Sequence, residues 1–198
     1  MTRSPGRLVC AVAMFAAWSV TAHADPRTDV QAALERVVAS GGFVAHVNGQ
    51  VFGPGTPVTA GVIDVVFPDR IHARTEMIDF ISVPDGAWIN LFGIWTPVDR
   101  DQIPITSFAK PAMRKAIASI GDVRAEGSVM TSACEQNIYR FRAEGQLPGA
   151  EANGDARIWI CAKDGKPAHL EAIDAGSGAK LDVVFDWSRR AQVESPDD

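Results

Sequence analysis

The chain has 198 residues, 46% of them hydrophobic and only 22% charged, which suits one domain with a real core and excludes a disordered chain. Its net charge of −5 argues against nucleic acid or an anionic membrane as a standing partner.

Met1–Ala24 has the layout of a secretory signal: Arg3 and Arg7 form a basic start, Leu8–Val20 is apolar, and Ala22-His23-Ala24 is a small-residue cleavage site before Asp25. The apolar run is short for a membrane span, and nothing later approaches about 20 apolar residues. Cys10 lies inside that run, without the small-residue context of a lipoprotein signal. The expected plan is a signal peptide over 1–24, one domain over 25–190 and a polar tail over 191–198. Without Arg3 and Arg7, the 19 basic residues fall to 17 against 24 acidic ones, a net −7, and the mature protein is expected in the periplasm.

After Asp25-Pro26, Val30, Leu34, Val37 and Val38 recur at helical spacing through Arg27–Ser40, and Gly41-Gly42 stops the helix. Phe43–Phe52 reads as a strand, followed by a Gly53-Pro54-Gly55-Thr56-Pro57 turn. From about Val58 to Val98, β-type runs rich in Val, Ile, Phe and Trp are cut by Pro68-Asp69, Pro84-Asp85-Gly86 and Phe92-Gly93. These make an antiparallel meander, with Ile71, Ala73 and Thr75 on one face and Arg70, His72 and Arg74 on the other. Phe108–Ile120 then interrupts the strands with a helix that has Pro111 in its first turn and Ala112, Met113, Ala116, Ile117 and Ile120 on one face. Strands return at Asp122–Thr131 and Glu135–Glu144, a Gly- and Ala-rich loop fills Gly145–Asp155, and Ala156–Ala162, Lys166–Ile173 and Lys180–Trp187 close the fold. Ser188–Asp198 is polar and is expected to fray.

Cys134 and Cys161 remain in the mature chain. Alternation along their strands projects both from the face opposite the apolar rows, so a disulfide between neighbouring strands is expected. It would contribute roughly 3–4 kcal/mol in the chain-entropy account. The rival, a redox-active pair, lacks the Cys-x-x-Cys spacing that lowers a thiol pKa.

Catalytic signals are weak. His46, His72 and His169 have no partner at metal-ligand spacing, so satisfied histidines are the expectation. The pairs Glu76/Asp79 and Asp99/Asp101 sit at turns, and Gly53-x-Gly55 and Gly176-x-Gly178 lack the helix and Lys-Ser/Thr of a phosphate loop. No catalytic residue, metal or cofactor is expected. What stands out is apolar bulk: Phe67, Phe80, Trp88, Trp95, Phe108, Met113, Ile117, Tyr139 and Phe141 are the candidate ligand-lining residues, with Phe185 beside them. Core filling is the alternative for each of them.

The order helix, meander with Phe67-Pro68-Asp69-Arg70-Ile71, Pro84-Asp85-Gly86-Ala87-Trp88, Gly93-Ile94-Trp95, helical insertion, then Asp164-Gly165-Lys166-Pro167 before two closing strands resembles the LolA-like and LppX-like periplasmic lipoprotein-carrier superfamily. The resemblance implies a mainly β fold with a few helices (α+β): a curved antiparallel sheet forming an unclosed barrel, its concave face covered by the N-terminal helix and the helical insertion. It implies a carrier for an acyl chain, a lipoprotein's lipid moiety or a similar hydrophobic ligand, without a transmembrane segment but compatible with transient membrane contact. Ser107–Ile120 would act as a lid over a cavity shared by Phe80, Trp88, Phe108, Met113 and Ile117. Phe67 stands where the lipoprotein-sorting members have a lid-latching arginine, leaving Arg70 or Arg74 to take that part. The alternative is an envelope regulatory or structural protein that uses the same fold to bind protein.

Overall fold

The structure, a computed structural model, describes residues 25–49, 59–75, 79–100, 110–147, 150–173, 175, 178 and 180–196. The signal segment, Cys10, Gly53, Gly55, Glu76, Asp101, Ser107, Phe108 and Gly176 lie outside them. In chain order the elements are α1 (Pro26–Ala39), β1 (Gly42–Gly49), β2 (Thr59–Val66), β3 (Arg70–Thr75), β4 (Asp79–Val83), β5 (Gly86–Leu91), β6 (Ile94–Val98), α2 (Lys110–Ser119), β7 (Gly121–Met130), β8 (Glu135–Leu147), β9 (Ala150–Cys161), β10 (Pro167–Ile173) and β11 (Lys180–Asp186). All pairings are antiparallel, in the order β6-β5-β4-β3-β2-β1-β11-β10-β9-β8-β7. The chain therefore forms one 11-stranded sheet that does not close, with β6 and β7 as its edges. Both edges are blunted against further pairing: Pro97 removes a donor from β6, and register shifts interrupt β7.

Helix α1 follows from its local chemistry. The Asp25 side chain accepts from the Arg27 N–H, Pro26 occupies the first turn, and Gly41 leaves the helix at φ 83°, a conformation that costs glycine little. Its inward stripe of Val30, Ala33, Leu34, Val37 and Val38 is fully buried. Each large side chain removed from water in this way contributes roughly 1.5–3 kcal/mol. Helix α2 buries Met113, Ala116 and Ile117, followed by Ile120, whereas Ala112 is exposed. The helices pack on one another and against β1 and β7–β10.

Two expectations change here. Residues 145–155 are not a loop: β8 and β9 continue through them as one long hairpin, paired as Gly145↔Ala152 and Leu147↔Ala150. Gly145 takes φ 104°, a conformation that favours glycine, and a Cβ there would stand in ordinary contact, 3.5 Å, with the Ala116 Cβ of α2. Nor does the segment after β11 fray throughout, because Val193 is only 6% exposed.

Candidate functional site

Strand register builds the inner face. Ala45, Ile63, Ala73, Phe80 and Ile89 align across β1–β5, and Val47, Val183, Leu170, Ile158 and Tyr139 align across β1 and β11 to β8. These rows join with the inward stripes of both helices in one apolar cluster. Of the sequence-derived candidates, Phe67, Phe80, Met113, Ile117, Tyr139 and Phe141 are brought together in it, as is Phe185.

Within that cluster the helix-covered part is filled by its own side chains, with Met113, Ile117 and Phe141 at most 2% exposed. Tyr139 donates its hydroxyl to Asp29 Oδ2 at 3.0 Å and so ties β8 to α1. Burial, followed by that hydrogen bond, pushes the phenol up to about 12. The helices hold each other directly: Gln31 Nε2 donates to the Ile117 carbonyl at 3.0 Å and Arg27 Nη2 to that of Ala118 at 3.2 Å. Arg114 pairs with Glu35 at 3.5 Å. Gln31 and Arg27 thus reach carbonyls of the last turn of α2. Arg70 and Arg74 take no part, since both project from the other face.

Trp88 and Trp95 require a correction. Register places Trp88 opposite Ile81, out of step with the inward Phe80–Ile89 pair, so its ring lies on the outer face with Ile81, Val83 and Val193. Trp95 packs against the same outer cluster. The Trp88 ring lies over Gly86, where an added Cβ would come within 2.6 Å of it. Neither tryptophan shares the inner face with Phe80.

The C-terminal segment crosses this outer face. Arg70 Nη1 donates to the Val193 carbonyl at 3.1 Å, and Arg189 approaches Asp64 at 4.0 Å. Asp64 is 2% exposed, and Arg74 pairs with it directly. A carboxylate so far out of water needs such partners. Nothing in the local Val62-Ile63-Asp64-Val65 run signals this role. On the inner face, Ser82 is fully buried and its hydroxyl has no hydrogen-bond partner among the described residues.

Two of the histidines are held by hydrogen bonds. Arg74 donates to His72 Nδ1 at 3.2 Å, so that nitrogen accepts, and Nε2–H donates to Asp79 at 2.8 Å. His169 Nε2 contacts Asp182 at 2.7 Å, whereas His46 lies at the edge of ion-pair range, 4.0 Å from Asp186. Cys134 and Cys161 form the disulfide, with Cα atoms 5.9 Å apart. The outer face of β7–β10 carries exposed ion pairs, Arg140–Asp155 at 2.6 Å and Arg157–Glu126 at 2.7 Å. Arg140 holds the Asp155 carboxyl below its ordinary range.

No protein-family model matches the chain, and no curated protein matches it either. Solved structures do. Lipoprotein LppX of Mycobacterium tuberculosis aligns at a TM-score of 0.58 and 13% identity, over 86% of this chain and 100% of that one. LprF from Mycobacterium bovis aligns at 0.59 and 11%, over 86% and 96%. The chain shares the fold of LppX and LprF: an unclosed antiparallel sheet with a few helices. Among the described residues, no helix is long and apolar enough to cross a membrane.

Proposed function

We propose that this chain is a periplasmic carrier that reversibly buries an acyl chain, or a lipoprotein's lipid moiety, against the inner face of β2–β5. The carrying observation is the split coverage of that face. The described helices pack mainly against β1 and β7–β10, whereas the row Ile63, Ala73, Phe80 and Ile89 continues beyond them, flanked by Phe67 and Ile71; all of these are buried except Ile89, which is only partly so. An acyl chain of about 14 methylenes offers on the order of 11 kcal/mol of transfer energy before the costs of association. No catalytic group is required. The unpartnered Ser82 hydroxyl, on this same face, supplies one polar atom that a ligand's ester or amide oxygen would satisfy. In this reading the leader over 1–24 exports the protein.

Organic extraction of protein purified from a bacterial envelope, followed by mass spectrometry, tests the proposal and should recover lipid. Ile89, partly buried on the inner face, is the residue to perturb. Ile89→Asp should weaken a fluorescent fatty-acid analogue strongly without unfolding the protein, because a carboxylate would then face apolar surface. A wild type that binds no analogue and yields no lipid would leave the protein-binding reading. The β5–β6 turn favours that second reading, since Leu91, Phe92 and Ile94 are exposed together at its tip.

A further inference from the structure

Three ligand-bearing side chains converge on the outer face of β10 and β11, on the side of the sheet opposite the apolar cluster. His169 and Glu171 stand two residues apart on β10 and so project to the same face, and register sets Asp182 directly opposite Glu171. One imidazole nitrogen and two carboxylate oxygens lie within 4.8 Å of one another. Trp159 of β9 stacks on the His169 ring, with centroids 4.3 Å apart and planes at 23°, and fixes its orientation.

The local charges are incompletely balanced. Carboxylates directly opposite on paired strands repel. The nearest guanidinium, Arg157, is engaged by Glu126 at 2.7 Å and reaches Glu171 only at 3.7 Å. Asp182 has the His169 ring as its close partner. Beside the carboxylates lies a cleft of about 640 Å³, lined by Asn48, Gly49, Arg157 and Lys180 among others, with room for water.

We propose that His169, Glu171 and Asp182 form a binding site for a divalent transition-metal cation of the zinc class. Zinc accepts imidazole nitrogen and carboxylate oxygen alike, and with three protein ligands water completes the coordination. The imidazole nitrogen in the set favours zinc over calcium and magnesium, which take oxygen ligands. Tetrahedral ligands about 2.1 Å from zinc lie roughly 3.4 Å apart, so the cluster closes on a cation by side-chain rotation alone. The cation takes the Nε2 lone pair, which puts the ring proton on Nδ1, and it removes the Glu171–Asp182 repulsion that Arg157 offsets only in part. Sequence reading misses this set because it searches for ligands near in sequence, whereas Asp182 arrives through strand pairing. The proposal does not depend on the carrier reading.

Titration calorimetry of tag-free protein with zinc chloride should show one equivalent bound in the micromolar range, and calcium chloride should give no binding. His169→Asn and Glu171→Gln should each weaken zinc by about tenfold or more, with an unchanged circular-dichroism spectrum. Copper(II) chloride should quench the fluorescence contributed by Trp159, read as the difference between wild type and Trp159→Phe. Glu171 is half-exposed, so its variant keeps the test valid if the histidine variant misfolds. Absence of zinc binding, or zinc binding that survives both substitutions, overturns the proposal.

Discussion

The two halves of the sheet differ in their outer faces, since the inner face is buried in both. Over β7–β10 the helices lie inside, and the outer face carries exposed ion pairs such as Arg140–Asp155. Over β2–β5 the C-terminal segment lies outside, where it seats Val193 among Ile81, Val83 and Trp88. The strands record this difference. β10 alternates, with Leu170 and Ala172 buried between more exposed neighbours, whereas β4 is buried without interruption from Phe80 to Val83. A continuous buried run here means that a strand has two covered faces, one of them by a segment distant in sequence.

The sharpest way to break the comparison is to unseat one cover and ask which half responds. Met113→Ala should cost about 3–4 kcal/mol in urea denaturation, because it empties volume between α2 and β8. Hydrogen exchange should rise mainly in α1, α2 and β8. Val193→Asp should cost roughly 3 kcal/mol by placing a carboxylate in the outer cluster, with exchange rising in β3–β5 instead. Equal loss of protection in both halves from either substitution would show that the sheet responds as one unit.

Tyr139→Phe tests the tie between α1 and β8 and should cost about 1.5 kcal/mol, the scale of a hydrogen bond to a charged acceptor. It also has a pH signature. The folded-state phenol is raised to about 12 from its ordinary 10.0, so its contribution is complete below pH 10 and is lost as pH rises through 12. The difference in stability between wild type and variant should therefore shrink across that window. The smallest effect belongs to Ser82→Ala, which removes a buried hydroxyl without a partner and should raise the stability of ligand-free protein by up to about 1 kcal/mol. A loss of that size would instead reveal a hydrogen bond to Ser82.

Local chemistry made much of this fold legible. The alternation of Arg70, His72 and Arg74 with Ile71, Ala73 and Thr75 matches the two faces of β3, and the helical spacing of Val30, Leu34 and Val37 matches the buried stripe of α1. Failures arose where a non-local contact overrode local pattern. Along Phe80-Ile81-Ser82-Val83 alternation is lost, so nothing local tells which face Trp88 of the paired strand takes. Gly145 and the small residues after it suggest a loop, yet β8 and β9 pair through them, with Gly145 lying beside α2. Asp64 looks misplaced in an apolar strand until Arg74 of the paired strand and Arg189, 125 positions away, come to its side. The candidate site was legible as a set of large apolar residues, but its division between two faces was not.

The sheet begins at β6 and ends at β7 without joining them, and this has a mechanical consequence. A closed barrel has a girth set by strand number and stagger, and widening it means breaking a ladder of hydrogen bonds. An open sheet can uncurl slightly while every rung stays intact, resisted only by side-chain contacts and by the chain that spans the gap. If the chain carries a guest as proposed, one of larger girth would be admitted by bending rather than by unfolding.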